Sequence, residues 1–301
     1  MNSTTNDSSP KQPDTEHAYV YRTVLLAINV LVLVSGTISL SLMMHILKSS
    51  STSITSIAVL NLIFAHFIFL ITVPFRIYYY VSGNWELGHS WCKVVSSMIH
   101  IHMYMSFFLY VIILITRLLT FYRKAEQLAP FRSIHALLVS AAVWVMVLST
   151  VPFVIHFAYG KNQEKNLTQT TNETVCFKFG KHIHKVFGAT VVNYVVSTLI
   201  IVVAAVLTAL QANVLRVLYR RHRQGCISQQ DFGAQLKSMC FALIMVVCFI
   251  PYHMFRLYYL EHINLQQVNE VLLSLTTFNC LDMLTFLGRR NCYMCFFRRV
   301  R

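Results

Sequence analysis

Five side chains that can bind metals or exchange protons stand within apolar stretches of this chain. They are His66, His100, His102, His253 and Asp282. Imidazole and carboxylate groups ligate zinc and related metals, which raises the hypothesis of a hydrolase embedded in a membrane. The spacing argues against it, because side chains two residues apart on a helix point about 200° apart, so His100 and His102 cannot share one ion. No other pair repeats a metal-ligand spacing, and we predict no metal site, no cofactor and no enzymatic activity.

The apolar stretches that hold these residues are long enough to cross a membrane. Of the 301 residues, 56% are hydrophobic and 12% are charged, against about 25% charged in a typical soluble domain. A membrane-spanning helix needs about 20 mainly apolar residues. Seven stretches meet that length, at residues 23–47, 54–80, 91–122, 133–157, 186–219, 235–260 and 267–288. We therefore predict an all-α membrane protein whose seven-transmembrane helix bundle occupies residues 23–288.

The tails and loops indicate which end of the bundle faces the cell exterior. Four N-x-[ST] glycosylation sequons fall on one side of a seven-span topology, at Asn2, Asn6, Asn166 and Asn172. Fifteen basic residues against two acidic ones fall on the other side, and basic residues near membrane ends are retained in the cytoplasm. We predict a multi-pass plasma-membrane protein with a glycosylated extracellular tail, residues 1–22, and a cytoplasmic C-terminal segment, residues 289–301.

The basic composition of the chain is explained by this topology. The net charge of +14 is concentrated on the predicted inner side. A surface for RNA or DNA would combine basic residues with exposed aromatic side chains on a soluble module, and the sequence contains no such module. We predict contacts with membrane lipids and no nucleic-acid partner.

The eight cysteines divide by compartment. Only Cys92, at the outer start of helix three, and Cys176, in the second outer loop, fall in oxidising space, so we predict a disulfide between them. Cys292 and Cys295 lie in the basic and aromatic run GRRNCYMCFFRR after helix seven. This run predicts a short helix lying in the membrane interface, with the two thiols as candidate palmitoylation sites.

Helix six carries the longest recognisable motif. Residues 245–256 read MVVCFIPYHMFR. This run resembles the F-x-x-C-W-x-P motif of the rhodopsin-like (class A) G protein-coupled receptors, in the variant C-F-x-P-Y-H-x-x-R of the branch with nucleotide, lipid and protease-activated receptors. A proline in mid-helix removes a backbone hydrogen bond and bends the helix. The resemblance therefore implies a hinge at Pro251, about which the inner end of helix six swings outward during activation, with Phe249 close to the hinge.

Four other segments resemble the same family, so the resemblance runs from helix one to the segment after helix seven. They are Trp144 in helix four, WELG at 85–88, VPFRIYYY at 73–80, and LDMLTF at 281–286, which is similar to D-P-x-x-Y with Met283 and Phe286 in place of proline and tyrosine. The resemblance implies a divergent, orphan-type receptor that transmits an extracellular ligand signal to a heterotrimeric G protein. It is not a light receptor of the opsin type, because helix seven contains no lysine to hold retinal.

Two departures from the family pattern bear on mechanism. Thr116-Arg117-Leu118 stands at the D-R-Y position, which keeps the arginine that faces the G protein and loses the acid that restrains it. His66 replaces the helix-two aspartate that ligates sodium in the family, and an imidazole cannot hold a hard cation as a carboxylate does. The resemblance implies raised basal activity without sodium sensitivity, or alternatively a receptor that has lost efficient coupling. The residues assigned to coupling and activation are Thr116, Arg117, Phe249, Pro251, Asp282 and Phe286.

The outer ends of the helices carry the candidate ligand site. In the resembling branch, positions such as Arg76 and Arg256 face anionic groups of the ligand. Each arginine could instead extend to the lipid headgroups, or pair with Glu261 or Glu270. For the aromatic and histidine positions, packing against a neighbouring helix is the alternative. The candidate ligand-binding residues are Arg76, His100, Tyr104, Tyr252, His253, Arg256 and Glu270.

A transporter is the remaining alternative. Such proteins are built from inverted repeats with broken half-helices around a site at the membrane midplane. The sequence shows neither feature, and Asp282 is the only acid predicted in the core of the bundle. The ligand and the G protein subtype stay open.

Overall fold

The computed structural model describes residues 13–47, 54–122, 129–159, 176–177, 187–223 and 229–283. Within these ranges the structure is helical and contains no strand. The helices are α1 (Pro13–Leu47), α2 (Ile54–Ser82), α3 (His89–Tyr122), α4 (Ala129–Tyr159), α5 (Phe187–Arg223), α6 (Gln229–Tyr259) and α7 (Gln266–Thr276). A 3-10 turn at Ile263–Leu265 precedes α7, and a 3-10 segment at Thr277–Met283 continues it. The prediction of an all-α seven-helix bundle is confirmed.

Six of these helices are long and apolar enough to cross a membrane. The seventh predicted span corresponds to α7 and its 3-10 continuation, which the structure describes as far as Met283. Most helices extend beyond the apolar stretches, and α1 begins at Pro13 rather than at residue 23. Proline suits the first position of a helix because its missing N–H would have no partner there. Polar residues continue a helix past the lipid, and a hydropathy pattern does not detect them.

The core of the bundle lies along α3. In its membrane-spanning part 61% of residues are buried, against 17% in α4 and 28% in α5. The outward faces of the other helices carry large exposed apolar side chains, including Leu31, Phe64, Leu138, Val195 and Val247. A soluble protein rarely exposes so much apolar surface, whereas a lipid-facing helix must. The burial pattern is therefore that of a membrane bundle with α3 at its centre.

A close approach of three helices occurs at Gly36. A Cβ atom placed there would lie 2.9 Å from Leu70 Cδ2 on α2 and 3.2 Å from Cys280 Sγ after α7. Small residues let helix backbones approach each other closely within membranes. Gly36 thus positions the 3-10 segment of α7 against α1 and α2, next to Asp282.

A hydrogen-bonded junction fixes α2 against α4. The Asn61 side chain donates to Ser140 Oγ at 3.2 Å and accepts from the Trp144 indole N–H at 3.0 Å. The Trp144 ring also packs edge-on against Phe64, with centroids 5.4 Å apart. The helix-four tryptophan named in the sequence therefore anchors α4 to the rest of the bundle.

The outer end of α3 is bonded to the second outer loop. Cys92 and Cys176 form a disulfide with Cα atoms 5.8 Å apart, which confirms that prediction. The next residue, Phe177, has a positive φ of 70° and packs among Tyr79, Tyr80 and Trp85. Several predicted features lie outside the described residues: the four glycosylation asparagines, Phe286, the interfacial segment 289–301, Cys292 and Cys295.

Candidate functional site

A cavity of about 340 Å³ occupies the end of the bundle that carries the disulfide. Side chains from α3 to α7 line it, together with Phe177 beside the disulfide. Its wall includes five of the seven residues predicted for a ligand site: His100, Tyr104, Tyr252, Arg256 and Glu270. The fold therefore brings together residues that are as much as 170 positions apart in the sequence.

The cationic group of the wall is Arg256, near the end of α6. Its guanidinium donates from Nη2 to Asn193 Oδ1 at 3.1 Å and from Nη1 to Asn269 Oδ1 at 3.4 Å. The same group lies 5.4 Å from the centre of the Tyr259 ring. Amide oxygens accept hydrogen bonds without a formal charge, so these contacts orient the guanidinium and leave its charge in place.

Arg76 lies beside the cavity and does not form part of its wall. The residue is 3% exposed, and its Nε and Nη1 have no hydrogen-bond partner among the described residues. Its guanidinium stacks on Phe177 at 4.7 Å from the ring centre, and Phe177 itself lines the cavity. The burial argues against the alternative in which Arg76 extends to lipid headgroups. A buried guanidinium with unpaired N–H groups is costly, so this position favours an acceptor that the described residues do not supply.

His253 contacts a neighbouring helix and is not a wall residue. It is 1% exposed, and its Nδ1 lies 3.2 Å from Ser197 Oγ on α5. This contact ties α6 to α5, which is the packing alternative stated for this residue. Tyr252, its neighbour in sequence, faces the cavity, because successive residues on a helix point about 100° apart.

A second polar cluster lies deeper in the bundle, around Asp282. The Tyr110 hydroxyl donates to Asp282 Oδ2 at 2.5 Å, and His66 Nε2 lies 3.3 Å from both carboxylate oxygens. The other ring nitrogen of His66, Nδ1, lies 2.7 Å from His102 Nε2. Phe69 stacks on the His102 ring with centroids 4.2 Å apart. The cluster connects α2, α3 and the 3-10 segment after α7.

The geometry of this cluster does not suit a metal. Because the two nitrogens of His66 face opposite neighbours, the donor atoms of His66, His102 and Asp282 do not converge on one point. The described part of the chain contains no group of three or more histidine, cysteine, aspartate or glutamate side chains arranged to hold an ion.

Activation residues on α6 pack directly against α3. Phe249 is fully buried, with its ring 5.8 Å from Phe107 and 6.1 Å from Tyr110. Pro251 follows two residues later, inside the helix. Tyr110 therefore contacts both Phe249 and Asp282, and it links the α6 hinge to the buried polar cluster.

The inner end of α3 presents Arg117. In the described part of the chain no acidic side chain lies within ion-pair distance of it. Lys237 on α6 is close enough to interact with it electrostatically, and the two charges have the same sign. Farther along, Gln211 on α5 donates to Gln235 Oε1 on α6 at 2.7 Å.

Comparison with known proteins decides the family. Residues 17–287 match the 7 transmembrane receptor (rhodopsin family). The chain belongs to the rhodopsin family of receptors. As a rhodopsin-family receptor it is a multi-pass membrane protein that signals through G proteins.

Individual relatives agree with this assignment. The Homo sapiens protein named Probable G-protein coupled receptor 141 is 34% identical over 292 residues, covering 90% of this chain and 93% of that protein. The Pan troglodytes Probable G-protein coupled receptor 34 is 27% identical, covering 75% of this chain and 61% of that protein. Lysophosphatidic acid receptor 6 of Gallus gallus is 26% identical, covering 80% and 76%. Because these relatives are receptors, the prediction that the chain is not an enzyme is confirmed.

Several residues of this rhodopsin-family receptor's polar cluster escaped the sequence analysis. Tyr110 and His102 make the closest contacts in the cluster, yet neither was assigned a role there. One signal was available: His102, Ser106 and Tyr110 are spaced four residues apart, so they share one face of a helix. Three polar side chains on one face of a membrane helix indicate a buried polar path.

Proposed function

We propose that this receptor binds an extracellular ligand with an anionic group and an apolar body, and transmits the signal by an outward swing of α6. The observation that carries the proposal is the cavity, which combines the oriented guanidinium of Arg256 with a mainly apolar wall. A guanidinium is well suited to carboxylate and phosphate groups, because its N–H donors match their paired oxygens. The ligand's anionic group would bind Arg256, and Arg76 would add a second cation nearby.

The apolar part of the ligand would bind between α4 and α5. Six aliphatic side chains line this part of the wall: Met146, Val147, Val151, Val154, Val192 and Val196. Two of them are also exposed on the outside of the bundle, Met146 at 43% and Val192 at 52%. The cavity therefore borders the lipid-facing surface, which favours an amphipathic ligand. A relative named for lysophosphatidic acid supports the same class of ligand.

The signal would pass along α6 from Tyr252 to Phe249. Tyr252 lines the cavity, and Phe249 lies one turn farther in, against Phe107 and Tyr110. Pro251 lies between them, where the missing backbone hydrogen bond lets the helix bend. A ligand that binds the bent arrangement more tightly shifts the population toward it, and the inner end of α6 opens for a G protein.

The charges around Arg117, at the inner end of the bundle, support raised basal signalling. The described residues offer Arg117 no acidic partner, and Lys237 approaches it with a like charge. Repulsion between α3 and α6 would favour the open arrangement even without ligand. The competing proposal is that the substitutions at His66, Thr116 and Met283 leave the receptor poorly coupled.

One experiment tests the receptor proposal directly. Second messengers would be measured in cells that express the chain without added ligand, with Arg117→Ala as the matched variant at equal surface expression. An unliganded signal that is lost in Arg117→Ala supports coupling through Arg117. A signal that is the same in both would contradict it.

Binding of an extracellular ligand requires that the cavity face the outside of the cell. The sequons and the basic inner loops favour a plasma-membrane receptor with an extracellular N-terminus and a cytoplasmic C-terminus. Palmitate on Cys292 and Cys295 would hold the segment after helix seven against the inner leaflet.

A further inference from the structure

A stripe of six polar side chains crosses the middle of the bundle. α3 contributes three of them at intervals of four residues, α2 contributes one, and the 3-10 segment after α7 contributes two at an interval of three residues. Each is no more than 1% exposed: His66, His102, Ser106, Tyr110, Asn279 and Asp282. Several of their polar atoms, including Ser106 Oγ, Asn279 Oδ1 and His102 Nδ1, have no hydrogen-bond partner among the described residues. Ionisable groups at this depth are costly, and they usually have a function.

The hydrogen bonds of the stripe are directed toward Asp282. Tyr110 donates to its carboxylate, and His66 Nε2 faces both carboxylate oxygens, so that nitrogen carries a proton while the carboxylate is ionised. The 2.7 Å contact between His66 Nδ1 and His102 Nε2 needs one proton between the two nitrogens. The proton can belong to a neutral His102, which then donates to His66. It can also belong to a doubly protonated His66, which then donates to both neighbours.

These two arrangements differ by one proton and by one unit of buried charge. With a neutral His66 the Asp282 carboxylate is a net negative charge at 0% exposure, which is strongly disfavoured. With a protonated His66 the pair is neutral overall. The other titratable groups near Asp282 are the thiols of Cys248 on α6 and Cys280 in the 3-10 segment, and α1 contributes the uncharged Ser39, which donates to the Cys280 carbonyl. No lysine, arginine or second acid of the described residues lies within ion-pair distance of Asp282.

We propose that this network is a proton-binding site, in which one proton shared among His66, His102 and Asp282 supplies the positive charge at the centre of the bundle. In the family that the chain resembles, the position of His66 holds an aspartate that ligates sodium. In this chain an imidazole at that position repels a metal cation once it is protonated, and it is itself the counter-charge of Asp282. The ligand of the site is then a proton, and sodium has no role.

The bound proton has a structural consequence, because the network joins α2 and α3 to the 3-10 segment after α7. Hydrogen bonds between charged groups are stronger than those between neutral ones, so the protonated network holds that segment more firmly. An arrangement that binds the proton more tightly gains population as the pH falls. Ligand action under the proposed function moves α6, whose Phe249 packs on Tyr110, the residue that donates to Asp282. The proton that stabilises this network then favours the resting arrangement, and its loss favours signalling.

Thermal stability measures the site without any ligand or G protein. The full chain in lipid nanodiscs would be melted from about pH 6.5 to about pH 8.5, where the histidines of the unfolded chain are largely neutral and a proton held by the folded network is released. We expect the wild-type Tm to fall as pH rises, by about 3–5 °C for each pH unit over which one proton is released. His66→Asn should flatten this slope. His45 is an exposed histidine near the end of α1, so His45→Asn is the matched control and should keep the slope.

A second variant keeps the test decisive if His66→Asn does not fold. Asp282→Asn has nearly the same shape and carries no charge for a proton to balance, so its Tm should lose the fall with rising pH. A flat wild-type profile would overturn the proposal, and so would an unchanged slope in either variant. Because the measurement needs no signalling, a failure of the proposed receptor mechanism would leave this result standing.

Replacing sodium with N-methylglucamine at equal ionic strength separates a proton from a metal ion. The wild-type Tm should not change, because the imidazole excludes sodium. His66→Asp places a carboxylate beside Asp282, in a stripe that also holds the unpartnered oxygens of Ser106 and Asn279, and should gain a sodium-dependent rise in Tm. A sodium-dependent rise in the wild-type Tm, or no change of Tm with sodium in His66→Asp, would contradict the proposal that a proton takes the place of sodium.

Discussion

The outer cavity and the buried network of Asp282 are both polar, yet they are built in opposite ways. The cavity leaves space of about 340 Å³ beside cationic N–H donors, with Arg256 held by neutral amides. The network places two donors against a single carboxylate, the Tyr110 hydroxyl at 2.5 Å and His66 Nε2 at 3.3 Å. The cavity therefore has room for a molecule from outside the chain. The network has no such space and would take up a single proton under the proposal above.

Under the two proposals, recognition and switching lie in separate regions of this receptor. Chemical selectivity would belong to the cavity, which can exchange its contents. The conformational state would depend on the network, whose contacts join α2 and α3 to the segment after α7 and must change when those elements move. Tyr110 links the network to α6, because it packs against Phe249 and donates to Asp282. Tyr252, on the same helix, lines the cavity.

An extracellular ligand reaches the cavity only if that end of the bundle faces the outside of the cell. This orientation can be tested with an all-or-none result. A C-terminal epitope tag should bind antibody only after cells are permeabilised, and glycosidase should shift the gel mobility of the surface protein. Replacing Asn2, Asn6, Asn166 and Asn172 with glutamine should remove that shift. Tag staining on intact cells would reverse the assignment of the two ends.

Removing the disulfide should nearly abolish the outer site. Cys92→Ser releases Cys176 and with it Phe177, which lines the cavity and stacks on Arg76. A disulfide of this kind contributes about 2–5 kcal/mol to stability, so we expect most surface expression and ligand response to be lost. Cys240→Ser, a free and partly buried cysteine of α6, is the control and should have little effect. Alkylation of both thiols on intact cells without prior reduction would show that the pair is not bonded.

Truncation of Arg256 should weaken anionic ligands without unfolding the bundle. A charge-assisted hydrogen bond to a partly buried guanidinium is worth about 1.5–3 kcal/mol, or roughly a tenfold to hundredfold change in potency. We expect Arg256→Ala to lose that factor and Arg256→Lys to recover part of it, measured as the concentration for half-maximal signalling by an anionic single-chain lipid. Lys93→Ala removes another outer cation that does not line the cavity and should be neutral. Equal losses in Arg256→Ala and Lys93→Ala would indicate general electrostatics instead of a binding site.

The sequence predicts more of the outer region than of the core. Apolar length, sequons and cysteine placement depend on local composition, so the seven helices and the Cys92–Cys176 bond could be predicted. Five wall residues were also identified, and two of them, Tyr252 and Arg256, belong to the motif around Pro251. Contacts between helices are different, since they depend on helix rotation that no single stretch encodes. That is why His66 and His102 were identified separately and their contact was missed, and why His253 was assigned to the cavity although it packs on Ser197.

The smallest predicted effect concerns the inner end of α3, where Thr116 stands in place of the acid of the D-R-Y motif. Restoring that acid should restore the restraint on Arg117. Thr116 can offer Arg117 only a hydroxyl, whereas an aspartate there would form a charge-assisted pair worth about 1–3 kcal/mol in favour of the resting state. Thr116→Asp should then lower unliganded signalling by about fivefold or more at unchanged surface expression. Thr120→Asp places the same charge one turn farther along α3 and is the matched control.

The expectation depends on a measurable basal signal, which the proximity of Lys237 to Arg117 favours. If Thr116→Asp leaves that signal unchanged and Arg117→Ala does not reduce it, the proposal that a missing restraint raises basal activity is wrong. The poorly coupled receptor then becomes the better account, and the proton held at Asp282 would act on stability alone.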